Sequence, residues 1–156
     1  MLDIVEELKS LLAELDSSHI DYALCGGLAM GVYGHTRATI DIDLLVLSES
    51  LDKVIEIAGT HGYNIRGKDM SFAQGAVEIR RVSKIDPADG DLLSLDLLLV
   101  TPEIRSVWDT RTDGMWEGGR LSVVSRTGLI ALKQFRRSGR DLDDIKELES
   151  DLHAES

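Results

Sequence analysis

The chain has 156 residues, 43% of them hydrophobic and 29% charged, which suffices for one domain with a core that needs no disulfide or metal staple. This composition excludes a collagen-like, low-complexity or wholly disordered polymer. Seventeen Lys and Arg against 28 Asp and Glu give a formal charge of −11, which argues against a protein that grips nucleic acid by charge alone.

Taken in chain order, residues 3–17 predict a helix, because Ile4, Val5, Leu8, Leu11, Leu12 and Leu15 recur at helical spacing. Tyr22–Cys25 predicts a short strand ended by Gly26-Gly27, and Leu28–Tyr33 a short helix closing near Gly34. Ile40–Leu47 predicts a strand with Ile42, Leu44 and Val46 on one face. A helix over Leu51–Thr60 follows, with Ser48 or Ser50 as its cap, and then a short edge strand at Tyr63–Arg66. Ala76–Ile85 and Leu92–Val100 predict two strands separated by a turn at Pro87 and Asp89-Gly90. Pro102 opens a helix to about Thr110, and Asp113-Gly114 with Gly118-Gly119 bracket a loop or hairpin before a strand at Leu121–Val124. Ser125–Ser138 predicts a helix stopped by Gly139, and Asp141–His153 a second one. This order implies an α/β (α+β) fold, a mixed sheet flanked by helices with two helices at the C-terminal end. One domain is expected over 1–156, with its core at about 21–124 and the closing helices at about 125–153.

The charge is unevenly distributed. Residues 101–140 carry eight bases and four acids, whereas the last sixteen residues carry seven acids and one base. A single cysteine, Cys25, allows no internal disulfide and suits a reducing cytoplasm. The N-terminus lacks the cationic start and apolar run of a signal peptide, and no apolar run approaches a membrane span.

Three constellations carry chemistry. Gly26-Gly27 is followed after thirteen residues by Asp41-Ile42-Asp43-Leu44. Residues two apart on a strand share a face, so Asp41 and Asp43 project together while Ile42 and Leu44 enter the core. Two such carboxylates suit Mg²⁺, and paired glycines let backbone N–H groups approach a phosphate. The alternative is a turn followed by a strand with two solvent-facing aspartates. Asp96 interrupts the apolar run Leu92–Val100, where an unpartnered charge is costly. It is either a structural carboxylate with its own hydrogen bonds or a third ligand placed to take a proton from an attacking hydroxyl. Lys133, Arg136, Arg137 and Arg140 form a stripe at helical spacing. Lys133 is the candidate phosphate contact, and the outer arginines pair either with the acidic tail, through Asp141, Asp143 and Asp144, or with a partner. Arg37 is either a second candidate for the triphosphate or a surface residue. His35 and His61 have no zinc-like spacing with each other or with Cys25. Trp108 and Trp116 are either base-stacking residues or parts of the core or a lid.

With these residues in place, the sequence resembles the nucleotidyltransferase superfamily that includes DNA polymerase β, in its small prokaryotic form. The pattern is carried by Cys25-Gly26-Gly27, by Asp41-Ile42-Asp43-Leu44 and by Asp96 within Leu95-Asp96-Leu97-Leu98. Leu129–Lys133, Gly139-Arg140-Asp141 and Asp143-Asp144-Ile145 look like the closing helices of such proteins. Arg37-Ala38-Thr39-Ile40-Asp41 looks closest to the nucleotidyltransferases of abortive-infection type IV toxin–antitoxin systems, and aminoglycoside and lincosamide nucleotidyltransferases share a similar pattern. The resemblance implies a nucleotidyltransferase fold and transfer of a nucleoside monophosphate from an NTP to an acceptor hydroxyl on RNA or protein, with release of pyrophosphate. It further implies two Mg²⁺ ions, with Mn²⁺ as an alternative, held by Asp41, Asp43 and Asp96, and a triphosphate cradled by Gly26 and Gly27 with Lys133 and Arg37 offsetting its charge. The implied partners are the NTP, the acceptor, and an antitoxin or a second copy of the chain. An antibiotic acceptor and a non-catalytic nucleotide-binding module are the alternatives. No large nucleic-acid-binding surface and no membrane contact are expected.

Overall fold

The computed structural model describes residues 2–35, 41–116, 119–136 and 139–155, without side chains at 136, 139–141 and 153–155. Helix α1 (Ile4–Ser17) starts where the Asp3 carboxylate accepts hydrogen bonds from the N–H groups of Val5 and Glu6, and it buries Leu8, Leu11, Leu12 and Leu15. Strand β1 (Ala23–Cys25) runs directly into α2 (Gly26–Val32), two residues earlier than the spacing predicts. Then follow β2 (Asp41–Val46), α3 (Leu51–Thr60), β3 (Ile65–Arg66), β4 (Met70–Phe72), β5 (Val77–Ile85) and β6 (Leu92–Leu99). The chain continues through α4 (Arg105–Asp109), β7 (Thr112–Trp116), β8 (Gly119–Val123), α5 (Arg126–Arg136) and α6 (Gly139–Glu155).

The strands form one mixed sheet in the order β3-β5-β6-β2-β1-β8-β7, with β4 pairing on β5 as well. Strand β5 pairs antiparallel with β6 and β7 with β8, neighbours in the chain, and β1 pairs antiparallel with β2 across α2. The parallel pairs, β2 with β6 and β1 with β8, join segments far apart in the chain. The expected mixed sheet flanked by helices is present, and β7 and β8 of the bracketed stretch pair antiparallel, with Gly118 outside the described residues. Strand β4 was not expected. It is three residues long and mostly exposed, too short for the alternation of Met70-Ser71-Phe72 to announce it.

The core gathers Leu24, Ile42, Leu44, Leu95 and Leu97 from the central strands with residues of α1, α3, α4 and α5. Leu44, Leu45 and Val46 are buried in succession, as a strand covered on both faces requires. Alternation survives only at the start of β2, where Asp41 and Asp43 are half-buried and Ile42 is fully buried. That end of the central strands is therefore the open one. Trp108 is a core residue, with the Arg111 guanidinium 4.0 Å over its ring. No helix among the described residues is long and apolar enough to cross a membrane.

Candidate active site

The site is built from one row across four strands. Cys25 of β1 is the register partner of Asp43 in β2. Asp43 is the partner of Asp96 in β6, and Asp96 is the partner of Arg81 in β5. Cross-strand partners point to the same face, about 5 Å apart. Thiol, carboxylate, carboxylate and guanidinium thus line up side by side. One step along, Asp41 is level with Ser94, which is level with Ser83, and the two serine hydroxyls are 2.9 Å apart and buried. Asp41 and Asp43 share a face of β2, as their spacing predicts, and the register of β6 brings Asp96 onto the same face.

Arg81 is the residue that sequence reasoning missed. Its Nε donates to Asp96 Oδ1 at 2.6 Å and its Nη2 to Asp96 Oδ2 at 2.9 Å. Nη2 also lies 3.8 Å from Asp41 Oδ2. The fork on Asp96 answers the cost of that carboxylate, whose side chain is only 7% exposed. An isolated buried charge costs several kcal/mol, on the order of what a bidentate guanidinium recovers. The hydrogen bond to Asp96 holds the Arg81 guanidinium still more firmly protonated, and the charges of Asp96, Asp41 and Asp43 add to this. Among the described residues, no three His, Cys, Asp or Glu side chains are gathered into a ready metal-binding group. Both oxygens of Asp96 are taken up by Arg81.

Gly26 closes the row from the α2 side. Its φ is +70°, and a Cβ at this position would stand 2.2 Å from Asp43 Oδ2. Only glycine allows the backbone so near that carboxylate. Gly27 follows it as the second residue of α2. Beneath them the Cys25 thiol is fully buried, and burial pushes it well up, with Asp43 adding and Lys133 opposing. Cys25 is therefore a neutral packing residue and not a nucleophile.

The charge of Lys133 reaches this row, as its effect on Cys25 shows, but its ammonium is held by Asp144 of α6 at 2.9 Å. Lys133, the candidate phosphate contact, is thus itself in contact with the acidic tail. Both side chains are nearly buried, 12% and 3% exposed. Asp144→Ala is expected to cost about 3 kcal/mol, read as a lower urea midpoint at unchanged slope. A loss below about 1 kcal/mol would place the pair among dispensable surface bridges. Arg37, Thr39 and Arg137 lie outside the described residues, as do the side chains of Arg136 and Arg140. His35 is bonded to carboxylates of α6, Nδ1 to Glu147 at 3.3 Å and Nε2 to Asp151 at 2.5 Å. His61 lies 3.6 Å from Glu14. The two histidines serve different helix contacts.

No protein-family model and no curated protein matches the sequence. Solved structures do match the fold. The lincosamide antibiotic adenylyltransferase LnuA, determined with lincomycin bound, superposes with a TM-score of 0.59 at 19% identity, over 93% of this chain and 96% of that one. ANT(2")-Ia, determined in complex with adenylyl-2"-tobramycin, gives 0.65 at 16% identity, over 97% and 90%. TM1012 of Thermotoga maritima gives 0.56 at 13% identity, over 94% and 89%. The chain has the nucleotidyltransferase fold, and the correspondence runs over nearly its whole length.

Proposed function

We propose that the chain is a Mg²⁺-dependent nucleotidyltransferase that moves a nucleoside monophosphate from an NTP to an acceptor hydroxyl. The observation that carries this reading is the row Gly26, Asp43, Asp96: a backbone with no Cβ pressed against one carboxylate, and a second carboxylate in register on the next strand. The donor set fits the ion. Mg²⁺ takes a small number of hard carboxylate oxygens and keeps further positions for water and phosphate. Asp41 and Asp43 are the residues that would hold it on β2, with Asp96 completing the set from β6. When bound, Mg²⁺ supplies the positive charge that offsets the triphosphate and eases ionisation of the acceptor hydroxyl.

The remaining work falls to the chain. Gly26 and Gly27 let backbone N–H groups meet phosphate oxygens at close range. Asp96 takes the proton of the acceptor hydroxyl as oxygen attacks the α-phosphorus and pyrophosphate leaves. Lys133, steadied by Asp144, and Arg37 oppose the charge of the triphosphate.

For the acceptor, the near full-length correspondence with LnuA and ANT(2")-Ia favours a small hydroxyl compound. The formal charge of −11 favours a cationic one and disfavours a polyanion. The second reading, an RNA or protein acceptor of a toxin–antitoxin component, rests on the motif Arg37–Asp43. One experiment separates them. Each labelled NTP is incubated with the protein, Mg²⁺ and three acceptor pools: RNA, protein, and small molecules including aminoglycosides and lincosamides. Label in the small-molecule pool that disappears in Asp43→Asn supports the first reading, and label in RNA or protein supports the second. Nucleotide binding with no pyrophosphate from any pool would leave a non-catalytic binding module and overturn both.

A further inference from the structure

Among the described residues, Arg81 touches the carboxylate row directly. Its outer nitrogen stands 2.9 Å from an oxygen of Asp96 and 3.8 Å from an oxygen of Asp41. It thus bridges the two strands whose carboxylates would share a cation. The two partners differ in freedom. Asp96 is buried in the sheet, at 7% exposure, whereas the Arg81 side chain is 35% exposed and has solvent to move into. The Arg81 backbone is fixed separately, because its carbonyl accepts hydrogen bonds from the Gly67 N–H at 2.9 Å and from Arg66 Nη1 at 3.2 Å. Gly67 also leaves room for the stem. A Cβ there would stand 3.2 Å from Arg81 Cβ and Cγ. The geometry is that of an anchored residue with a movable head.

We propose that Arg81 is an internal counter-cation that competes with the divalent ion for Asp96, so that loading the site and releasing the guanidinium from Asp96 are one coupled event. The coupling is reciprocal: whatever holds Arg81 on Asp96 weakens the ion, and the ion loosens Arg81 by the same factor. It partly offsets the negative charge of the metal-free site, where three carboxylates on adjacent strands otherwise repel one another. It also frees a guanidinium beside the site when the ion and the triphosphate arrive, and a guanidinium matches phosphate oxygens in the same forked manner as a carboxylate. This inference rests on the assignment of Asp41, Asp43 and Asp96 as cation ligands.

Both assignments are tested by Mn²⁺ binding without nucleotide, read from the electron paramagnetic resonance signal of free Mn²⁺. The proteins are wild type, Arg81→Gln, Arg81→Lys and Asp43→Asn. Arg81→Gln is expected to bind Mn²⁺ about tenfold more tightly than wild type, with Arg81→Lys between them because it keeps the charge and loses the fork. Mn²⁺ should also raise the melting temperature of Arg81→Gln by more than that of wild type. Should Arg81→Gln fail to fold by circular dichroism, Arg81→Lys decides the matter alone. Equal or weaker binding by the Arg81 variants, with binding by Asp43→Asn below wild type, overturns the competition and leaves Arg81 as a residue that orients Asp96. Binding by Asp43→Asn equal to wild type overturns the cation-ligand assignment itself, and the role of Arg81 with it.

Discussion

Asn in place of Asp43 is expected to lower nucleotidyl transfer by about 10³-fold or more, the size of effect that several kcal/mol of lost transition-state stabilisation produces. Asp43 lies between Cys25 and Asp96 in register, pressed against the Gly26 backbone. Asn keeps its shape and removes its charge. The fold should therefore survive, and relief of repulsion from Asp96 leaves stability equal or slightly higher. Pyrophosphate release with a saturating acceptor measures the first expectation, and thermal unfolding followed by circular dichroism measures the second. Activity within tenfold of wild type would remove Asp43 from the chemistry.

Gly26→Ala should be nearly as damaging by a different route. The residue sits at φ +70°, where a side chain costs about 1–2 kcal/mol. The new Cβ would then overlap Asp43, at 2.2 Å from Oδ2, 2.6 Å from Cγ and 2.8 Å from Cβ. Three atoms of a short side chain on a central strand cannot all give way, so β1, α2 or the carboxylate must shift, at a further cost of about 1–3 kcal/mol. The expected results are a melting temperature lower by about 10 °C and transfer reduced by about 10²-fold or more from the displaced carboxylate. Gly31→Ala in the same helix is the control. Nothing lies within 4 Å of its added Cβ, so it should be neutral or stabilising by up to about 1 kcal/mol. If both variants behave alike, the close approach of Gly26 to Asp43 has no functional weight.

Part of the site was legible from local pattern. Asp41 and Asp43 stand out because a period of two places them together while Ile42 is buried between them. Asp96 stands out because a charge in so apolar a strand needs a partner. Arg81 left a fainter trace. Val77, Ile79, Arg81 and Ser83 share one face of β5, and an arginine in that otherwise buried row mirrors Asp96 in the row Ser94, Asp96, Leu98 of β6. Reading it required the register of the hairpin. The turn sets this register: the Asp86 N–H bonds to the Asp91 carbonyl and the Gly90 N–H to the Asp86 carbonyl, both at 2.8 Å. Lys133 shows the opposite case. Its helical stripe was legible, yet the nearest carboxylate that took it, Asp144, was settled by the packing of α5 on α6.

The sequence by itself determined the local periods, and with them the helices, most strands, the glycine pair and the three candidate carboxylates. Those features depend on neighbours within a few residues, where spacing and steric allowance act directly. Only the tertiary structure decided that β6 lies parallel to β2 with Asp96 beside Asp43, and that β5 then delivers Arg81 to both Asp96 and Asp41. Parallel strands need long crossovers, so their register is set by how helices and apolar faces pack on the finished sheet, and not by any short stretch of chain. An acidic protein with a charge of −11 thus carries, at the end of its carboxylate row, a cation of its own.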